Sequence, residues 1–405
     1  MLDLIPSLGS WLQRPEDRQF AVATIVAAAG SVPRPVGTSM IVTGSGEVLG
    51  SLSGGCVEGA VVALAQDAMD DGSPRRKAFG FSSADAFAAG LTCGGELDVH
   101  VEPVPADMPG QAAHPLRASL RQLAELAADE PVALVRGIGT PGGGAVVIRN
   151  SEGFSAAALN LSGLQGEPLF QVEALVRSGS AGLVRLAQPG SCPADRTGDD
   201  KEFGPAVLVE SRLAPPRMLV FGANDFGAAL VPAARLLGYH VTLVDARPAF
   251  ANQPRFAVAD QVVTDWPHRY LAAEAAAGRV DNRTVAAVLT HDPKFDIPLL
   301  ETALALDLAY VGAMGSRRSH LQRVDNLLAA GVRPERIAQL HSPIGLDLGA
   351  VTPAEVAVSI TAELLAARNG AARCIPLRDA SGPIHQQHPA RPVPTNTTQQ
   401  EIAWT

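Results

Sequence analysis

The segment that most constrains the fold is RMLVFGANDFGAALVPAARLLGYHVTLVD, residues 217–245, in which two apolar runs flank a glycine turn and a helix-like stretch. The first run predicts a buried strand that ends at Gly222. A helix is predicted over about 226–237, and HVTLVD predicts a second strand that ends on Asp245. Further strands and helices alternate after it, and such an alternation packs as a parallel sheet with helices on both faces. The sequence therefore predicts a Rossmann-like doubly wound domain over residues 216–378.

The glycine turn of this domain departs from the dinucleotide-binding pattern GxGxxG. Gly222 and Gly227 hold the first and last positions, and Asp245 ends the second strand, where an acidic residue would bind a ribose. The middle position is Asn224, whose side chain obstructs the approach of a pyrophosphate. We therefore expect a nucleotide-type fold in which tight binding of NAD(P) or FAD is disfavoured.

Polar residues lie in three later loops of this domain, two of them directly after predicted strands. Because the carboxyl ends of parallel strands form the ligand-binding edge, these loops are candidate binding sites. His291 and Asp292, in THDPK, either orient a ligand or form a cap and turn before the next helix. Asp347 lies in a glycine-rich loop, residues 341–349, and is a candidate to line the same crevice.

The strongest local pattern is YVGAMGSRRSH, residues 310–320. A strand ends in glycines, and Ser316, Arg317 and Arg318 stand where a helix begins. Helix N–H groups and guanidinium groups together suit a phosphate or another oxyanion. The alternative is a basic helix start that makes salt bridges, which the helix dipole does not favour.

A second candidate site lies in SLSGGCVEGA, residues 51–60. Gly54 and Gly55 permit positive φ and a close approach of the backbone to a ligand. Cys56 precedes a predicted helix, where unpaired N–H groups favour a thiolate. The stretch is either a site for an anion or a sulfur-reactive group, or a strand-to-helix turn with an inert thiol.

The remaining organisation follows from pattern and composition. Residues 1–106 predict a small mixed α/β domain, residues 107–215 carry no chemical motif, and residues 379–405 have the polar, Pro-rich composition of a disordered tail. The net charge of −9 and the lack of a basic patch argue against nucleic-acid and anionic-membrane partners. From the sequence pattern we expect neither a secretory signal nor a membrane-spanning run. Four dispersed cysteines without a CxxC pair favour reduced thiols and a cytoplasmic protein.

Several motifs, in order, resemble the XdhC/CoxI family, the accessory proteins of xanthine and carbon monoxide dehydrogenases. SVPRPVGTSM, SLSGGCVEGA and GLTCGGELDVHVEPV resemble its amino-terminal domain. The Rossmann start, THD, YVGAMGSRRSH and HSPIGLDLGAVTPAEVAVSI resemble its carboxy-terminal domain. The glycine turn departs from the family's GAGHVG because Asn224 and Asp225 replace Gly and His.

The resemblance implies a maturation factor that binds molybdopterin, protects its sulfurated form and hands it to an apo molybdenum hydroxylase of the xanthine dehydrogenase family. A cysteine desulfurase is the other implied partner, and we expect a homo-oligomer. The cofactor-binding residues that match the family motifs by position are Gly54, Gly55, Cys56, Glu58, Cys93, Gly94, Gly95, Gly312, Gly315, Ser316, Arg317 and Arg318. Cys56 and Cys93 are soft thiols able to ligate or guard molybdenum or to carry sulfur, and Cys56 is the candidate metal ligand.

Two other functional classes remain open. One is an NAD(P)-dependent oxidoreductase that uses the Rossmann domain, and the other is a small-molecule-sensing or scaffolding module with a degenerate Rossmann fold. We prefer a non-catalytic cofactor-insertion chaperone and assign no catalytic residue.

Overall fold

The computed structural model describes residues 1–13, 19–30, 32–80, 95–127, 129–139, 144–149, 164, 166–186, 205–369 and 374–380. The chain forms two compact units, one of Met1–Ala214 with Ala380–Thr405 and the other of Pro215–Asp379. The predicted domain 1–106 falls in the first unit, and so does the predicted region 107–215 except for Pro215. Cys93, Gly94 and nearly all of the predicted disordered tail lie outside the described residues.

The first unit contains a five-stranded antiparallel sheet in the order β3-β2-β1-β5-β4. The strands are β1 (Phe20–Ala29), β2 (Ser39–Thr43), β3 (Val48–Gly50), β4 (Arg75–Phe79) and β5 (Glu96–Val104). The helices around it are α1 (Ile5–Leu12), α2 (Glu58–Asp71) and α3 (Pro115–Ala124). Helix α2 buries Val61 and Ala65 against Ala23 of β1, so one face of the sheet is covered by this helix. The predicted mixed α/β character of residues 1–106 is confirmed.

A second antiparallel sheet of the same unit has the order β7-β6-β9-β8. It consists of β6 (Val132–Ile138), β7 (Ala145–Arg149), β8 (Gly182–Arg185) and β9 (Ala206–Arg212), with α4 (Glu167–Ser178) packed on it. Leu134 of β6 is buried in one cluster with Phe20 and Val22 of β1. The region that the sequence left unassigned therefore shares a core with the predicted amino-terminal domain.

The second unit is a six-stranded parallel sheet in the order β12-β11-β10-β13-β14-β15. Its strands are β10 (Arg217–Phe221), β11 (His240–Val244), β12 (Gln261–Val263), β13 (Val285–Val288), β14 (Tyr310–Ala313) and β15 (Leu340–His341). This is the doubly wound order, with its switch point between β10 and β13. The Rossmann prediction is confirmed.

Seven helices of the described chain cover the two faces of this sheet. They are α5 (Asp225–Leu236), α6 (Pro248–Ala251), α7 (Pro267–Ala276), α8 (Pro293–Ala305), α9 (Arg317–Ala329), α10 (Pro334–Ile337) and α11 (Pro353–Asn369). Helices α5 and α11 share one core, and α7, α8 and α9 share the other. Among the described residues, no helix has the length and apolarity needed to cross a membrane.

Candidate functional site

The loop between β3 and α2 is folded around the carboxylate of Glu58. The donors to this carboxylate are the hydroxyls of Ser51 and Ser53, at 2.7 and 2.6 Å, and the backbone N–H groups of Leu52, Ser53, Gly54, Gly55 and Val57, at 2.8–3.2 Å. Burial raises the pKa of the Glu58 carboxyl, but the hydrogen bonds from Ser53 and Ser51 outweigh it and hold that pKa far below its usual range. Glu58 is therefore a fixed anion at the start of α2.

The two glycines of the loop adopt the conformations that the sequence predicted. Gly54 has φ +84° and Gly55 has φ +126°, both in the region that disfavours a side chain. Apart from the adjacent residues of the chain, no atom lies within 4 Å of a Cβ built on either glycine, so their conformation, and not a lack of space, requires glycine. The positive φ values aim successive N–H groups inward at Glu58.

The expectation that unpaired N–H groups surround Cys56 is wrong. The chain fills that anion-binding loop with its own Glu58, and the N–H group of Cys56 donates to the Ser53 hydroxyl at 2.9 Å. Cys56 is partly buried and packs against the core formed by α2 and the sheet. The loop thus fixes the backbone that carries the thiol. Of the predicted site residues Cys93, Gly94 and Gly95, only Gly95 lies in the described residues, buried directly before β5.

In the second unit, Asn224 fills the middle position of the glycine turn and caps α5. Its Oδ1 accepts from the N–H group of Gly227 at 2.9 Å, and its Nδ2 donates to the Leu289 carbonyl at 2.8 Å. A Cβ on Gly227 would lie 2.7 Å from the carbonyl oxygen of Gly222, so these two glycines permit close packing of helix on strand. Asn224 occupies the helix start where a pyrophosphate would bind.

Asp245 stands at the ribose-binding position but is engaged within the chain. It is 3% exposed, and its carboxylate accepts from the Ala223 N–H group at 2.8 Å and from the guanidinium of Arg247 at 2.8 and 2.9 Å. Burial raises the pKa of Asp245, but the bonds from Arg247 and Ala223 lower it below its usual value. The carboxylate is charged, yet its oxygens already have donors.

In the loop after β13, Asp292 has the second of its two predicted roles, that of a helix cap. Its Oδ1 accepts from the Lys294 N–H group at 3.1 Å as the N-cap of α8, and its carboxylate pairs with the Lys294 ammonium at 3.0 Å. These bonds, together with the more distant charge of Arg247, lower the pKa of Asp292. Asp292 is thus a cap, whereas His291 is exposed at the carboxyl edge of the sheet. Arg247 follows β11 and Asp292 follows β13, so charged residues on the two sides of the switch point influence each other.

The β14 loop forms a capped helix start with two exposed guanidinium groups. Ser316 caps α9 by accepting from the Ser319 N–H group at 3.1 Å, and the Ser319 hydroxyl accepts from the Ser316 N–H group at 2.6 Å. Gly315 has φ +153°, and a Cβ there would lie 2.6 Å from the Ser319 hydroxyl. Arg317 and Arg318 are exposed, and neither forms an ion pair with another residue that the structure describes.

Of two other predicted site residues, Gly312 is tightly packed and Asp347 is exposed. A Cβ on Gly312, within β14, would lie 2.5 Å from the side chain of Ile344, so this glycine permits close packing under the β15 loop. Asp347 is exposed in that loop. The structure therefore brings His291, Arg317, Arg318 and Asp347 to loops at one edge of the sheet.

Sequence reasoning missed a buried polar network beneath this edge. Asp296 of α8 accepts hydrogen bonds from Thr290 and, at 3.2 Å, from Arg323 of α9. The Arg323 guanidinium also donates to the Met314 carbonyl and to the Ser342 hydroxyl, each at 2.9 Å. Burial raises the pKa of Asp296. The network ties together the loops that follow β13, β14 and β15.

Glu363 of α11 holds a second part of the same edge. Its carboxylate accepts from the Gly345 N–H group at 2.6 Å and from the Tyr310 hydroxyl, and lies 3.0 Å from Nδ1 of His341. The rings of Tyr310 and His341 are stacked at 4.2 Å. Charged residues inside helices usually face solvent, so the sequence held no signal for Glu363, Asp296 or Arg323.

Comparison with known proteins matches both units. Residues 13–80 match the family model described as XdhC and CoxI family, and residues 218–364 match the XdhC Rossmann domain. The chain is 27% identical over 361 residues to a probable xanthine dehydrogenase subunit from Bacillus subtilis (strain 168), covering 87% of this chain and 94% of that protein. It is 24% identical over 347 residues to the molybdenum cofactor insertion chaperone PaoD of Escherichia coli (strain K12), covering 86% and 83%.

A solved structure shares the fold. The crystal structure of a xanthine dehydrogenase from Bacillus halodurans superposes with a TM-score of 0.59 at 24% identity, covering 92% of this chain and 96% of that one. The SGGC loop lies within the first matched segment, and the capped α9 start lies within the second. With both family domains matched in order, the chain belongs to the XdhC and CoxI family.

Proposed function

We propose that this protein binds the molybdenum cofactor and delivers it to a molybdenum hydroxylase of the xanthine dehydrogenase type. Two relatives support the proposal by name, one as a probable component of a xanthine dehydrogenase and the other as a molybdenum cofactor insertion chaperone. The observation that carries it is the start of α9, where Arg317 and Arg318 are exposed and make no ion pair within the described chain.

The residues at this helix start fit the phosphate of molybdopterin. Two guanidinium groups are adjacent to first-turn N–H groups that point out of the helix, and both kinds of donor favour a phosphate. The capping box of Ser316 and Ser319 and the Arg323 bond to Met314 hold the backbone of this turn in place. In this account, Arg317 and Arg318 bind the phosphate, and Arg323 is a positioning residue.

The first unit offers sulfur chemistry. When bound, the cofactor supplies a molybdenum ion held by soft sulfur ligands, and a cysteine thiolate is a soft ligand of the same class. We assign Cys56 as the residue that contacts the metal or its transferable sulfur. Glu58 fixes the loop from Ser51 to Val57, so it orients the backbone of Cys56 without itself binding the cofactor.

Protection of a sulfurated cofactor requires a sulfur source and a recipient. We infer that a cysteine desulfurase supplies the sulfur, that an apo molybdenum hydroxylase receives the cofactor, and that the protein acts as a homo-oligomer. In this account the chain binds and shields the cofactor but catalyses no reaction of its own.

The experiment is cofactor retention by an arginine variant. Arg317→Ala with Arg318→Ala removes two charge-assisted contacts worth roughly 1.5–3 kcal/mol each, so retention after purification should fall at least about tenfold. The matched control is Arg333→Ala with Arg336→Ala, which removes two charges near α10. Molybdenum is measured by mass spectrometry and pterin by the fluorescence of its oxidised form. Equal retention in the two double variants would refute the phosphate assignment.

A further inference from the structure

Trp266 is an exposed aromatic side chain at the carboxyl edge of the parallel sheet. It follows β12 by three residues and stands directly before α7, and it is 41% exposed. The other tryptophan among the described residues, Trp11, is 4% exposed and belongs to a core cluster. This indole thus lies half in water at the ligand-binding edge of the α/β sheet.

The inner side of the indole is supported by other rings. Its centroid lies 5.1 Å from that of Phe295 at a tilt of 53°, and 6.0 Å from that of His268 at 70°. Phe295 is buried in the first turn of α8, three residues after Asp292. Trp266 is therefore fixed against α8, next to the loop that carries His291.

The surroundings of the indole are charged. The Lys294 ammonium lies 4.8 Å from the centroid of the Phe295 ring and pairs with Asp292. Arg247 is close enough to lower the pKa of Asp292. An apolar partner surface placed here would desolvate these charges at a cost. Both cations are paired with carboxylates, Lys294 with Asp292 and Arg247 with Asp245. A flat aromatic face beside such polar groups instead suits a planar heterocycle with polar edges.

We propose that Trp266 is a stacking residue for the planar nitrogen heterocycle of the ligand bound at this edge. The proposal rests on the proposed function for the identity of that ring, which is then the pyrimidinone ring of molybdopterin. A nucleotide base presents the same flat π-face, and the test separates these two sources.

The test compares three variants of the full-length chain by equilibrium dialysis and tryptophan fluorescence. The probes are molybdenum cofactor released from a purified molybdenum hydroxylase, NAD, and AMP. Trp266→Ala removes the ring, and Trp266→Phe keeps a smaller ring. Leu236→Ala, at a side chain that is 88% exposed at the end of α5, is the control for loss of exposed apolar surface.

We expect Trp266→Ala to weaken cofactor binding about 5- to 150-fold, the range for loss of one stacked base. Trp266→Phe should keep most of the affinity but lose the ligand-induced quenching of tryptophan fluorescence. Leu236→Ala should match the wild type. Unchanged affinity of Trp266→Ala for a cofactor that the wild type binds would refute the stacking role and leave the proposed function intact.

The measurements with NAD and AMP distinguish failure of the stacking role from failure of the proposed function. Binding of NAD or AMP but not of the cofactor, again weakened by Trp266→Ala, would support the stacking residue and refute the proposed function. Binding of none of the three probes by the wild type would refute both.

Discussion

Replacement of Glu58 should unfold the SGGC loop, and glutamine should restore only part of the contacts that alanine removes. Every group that contacts the Glu58 carboxylate is a donor, and there are seven such bonds. A carboxylate accepts on both oxygens, whereas the amide of Glu58→Gln places an NH₂ group against the donors of one oxygen. Glutamine has a similar shape to glutamate, but it therefore does not restore the full set of hydrogen bonds.

The expected magnitude follows from which donors can reach water. The N–H groups of Gly54 and Gly55 are exposed, so water replaces the lost acceptor. Those of Leu52 and Ser53 are partly buried and donate to the same carboxylate oxygen, and each costs about 1 kcal/mol or more when that acceptor is removed. The N–H group of Val57 also donates to the Ser53 hydroxyl at 3.1 Å, so it keeps an acceptor. We therefore expect Glu58→Ala to lower the free energy of unfolding of the first unit by about 2 kcal/mol or more, and Glu58→Gln, which keeps one acceptor oxygen, by about 1 kcal/mol or more.

The pH dependence has a defined sign. The pKa of Glu58 is lower in the folded than in the unfolded chain, where it is about 4.3. Its stabilising contribution is thus fully present above about pH 4.3 and is lost as the pH falls toward the folded-state pKa. Glu58→Gln should remove this part of the acid destabilisation, so its deficit relative to wild type should shrink at low pH.

The assay is urea unfolding followed by circular dichroism, with hydrogen exchange of peptides that cover residues 51–58. The control is Glu167→Gln, which also removes a first-turn glutamate charge, but at a carboxylate that accepts an exposed bond from the Gln171 side chain at 3.2 Å, which an amide oxygen can still accept. Wild-type stability and protection of the loop amides in Glu58→Gln would refute the account of Glu58 as the anion that holds the loop.

Three further predictions concern the second unit and the thiol. NAD, NADP and FAD should bind more weakly than low-micromolar in calorimetry, because Asn224 and Arg247 engage the groups that a dinucleotide needs; a low-micromolar constant would favour the oxidoreductase alternative. Arg323→Met should lower the free energy of unfolding of the second unit by about 3–5 kcal/mol by leaving Asp296 buried without its cation, and a loss below 1 kcal/mol in thermal or urea unfolding would contradict this. Cys56→Ser should fold normally yet leave a co-expressed hydroxylase inactive at normal abundance, whereas full client activity would return Cys56 to a packing role.

The fold of the second unit was predictable because its signals are local. Each strand is an apolar run followed by a turn and a helix, and right-handed connections leave few arrangements of such units. The cap role of Asp292 was also foreseen as one of two alternatives. The strands of residues 107–215 were less legible because their pairing is long-range: Arg136 of β6 bonds Glu210 of β9 across 74 residues.

The sequence indicated which positions belong to the candidate site, but not which atoms those residues contact. Glu58 was identified by its place in a motif, whereas its role as an acceptor depends on a loop that folds back from Ser51. Asp296 and Arg323 lie within helices, where sequence alone does not separate an inward from an outward charge. Trp266 likewise shows its exposure only once α7 and α8 are packed together.

The central claim is that the protein carries the molybdenum cofactor and passes it on. The most direct measurement is the molybdenum and pterin content of the protein purified from cells that make the cofactor, followed by mixing with an apo molybdenum hydroxylase. The account predicts that molybdenum and pterin co-purify with the chain in equal amounts and that mixing activates the hydroxylase while the chain loses its molybdenum. Protein purified without pterin, or an apo-hydroxylase that stays inactive with loaded protein, would contradict it.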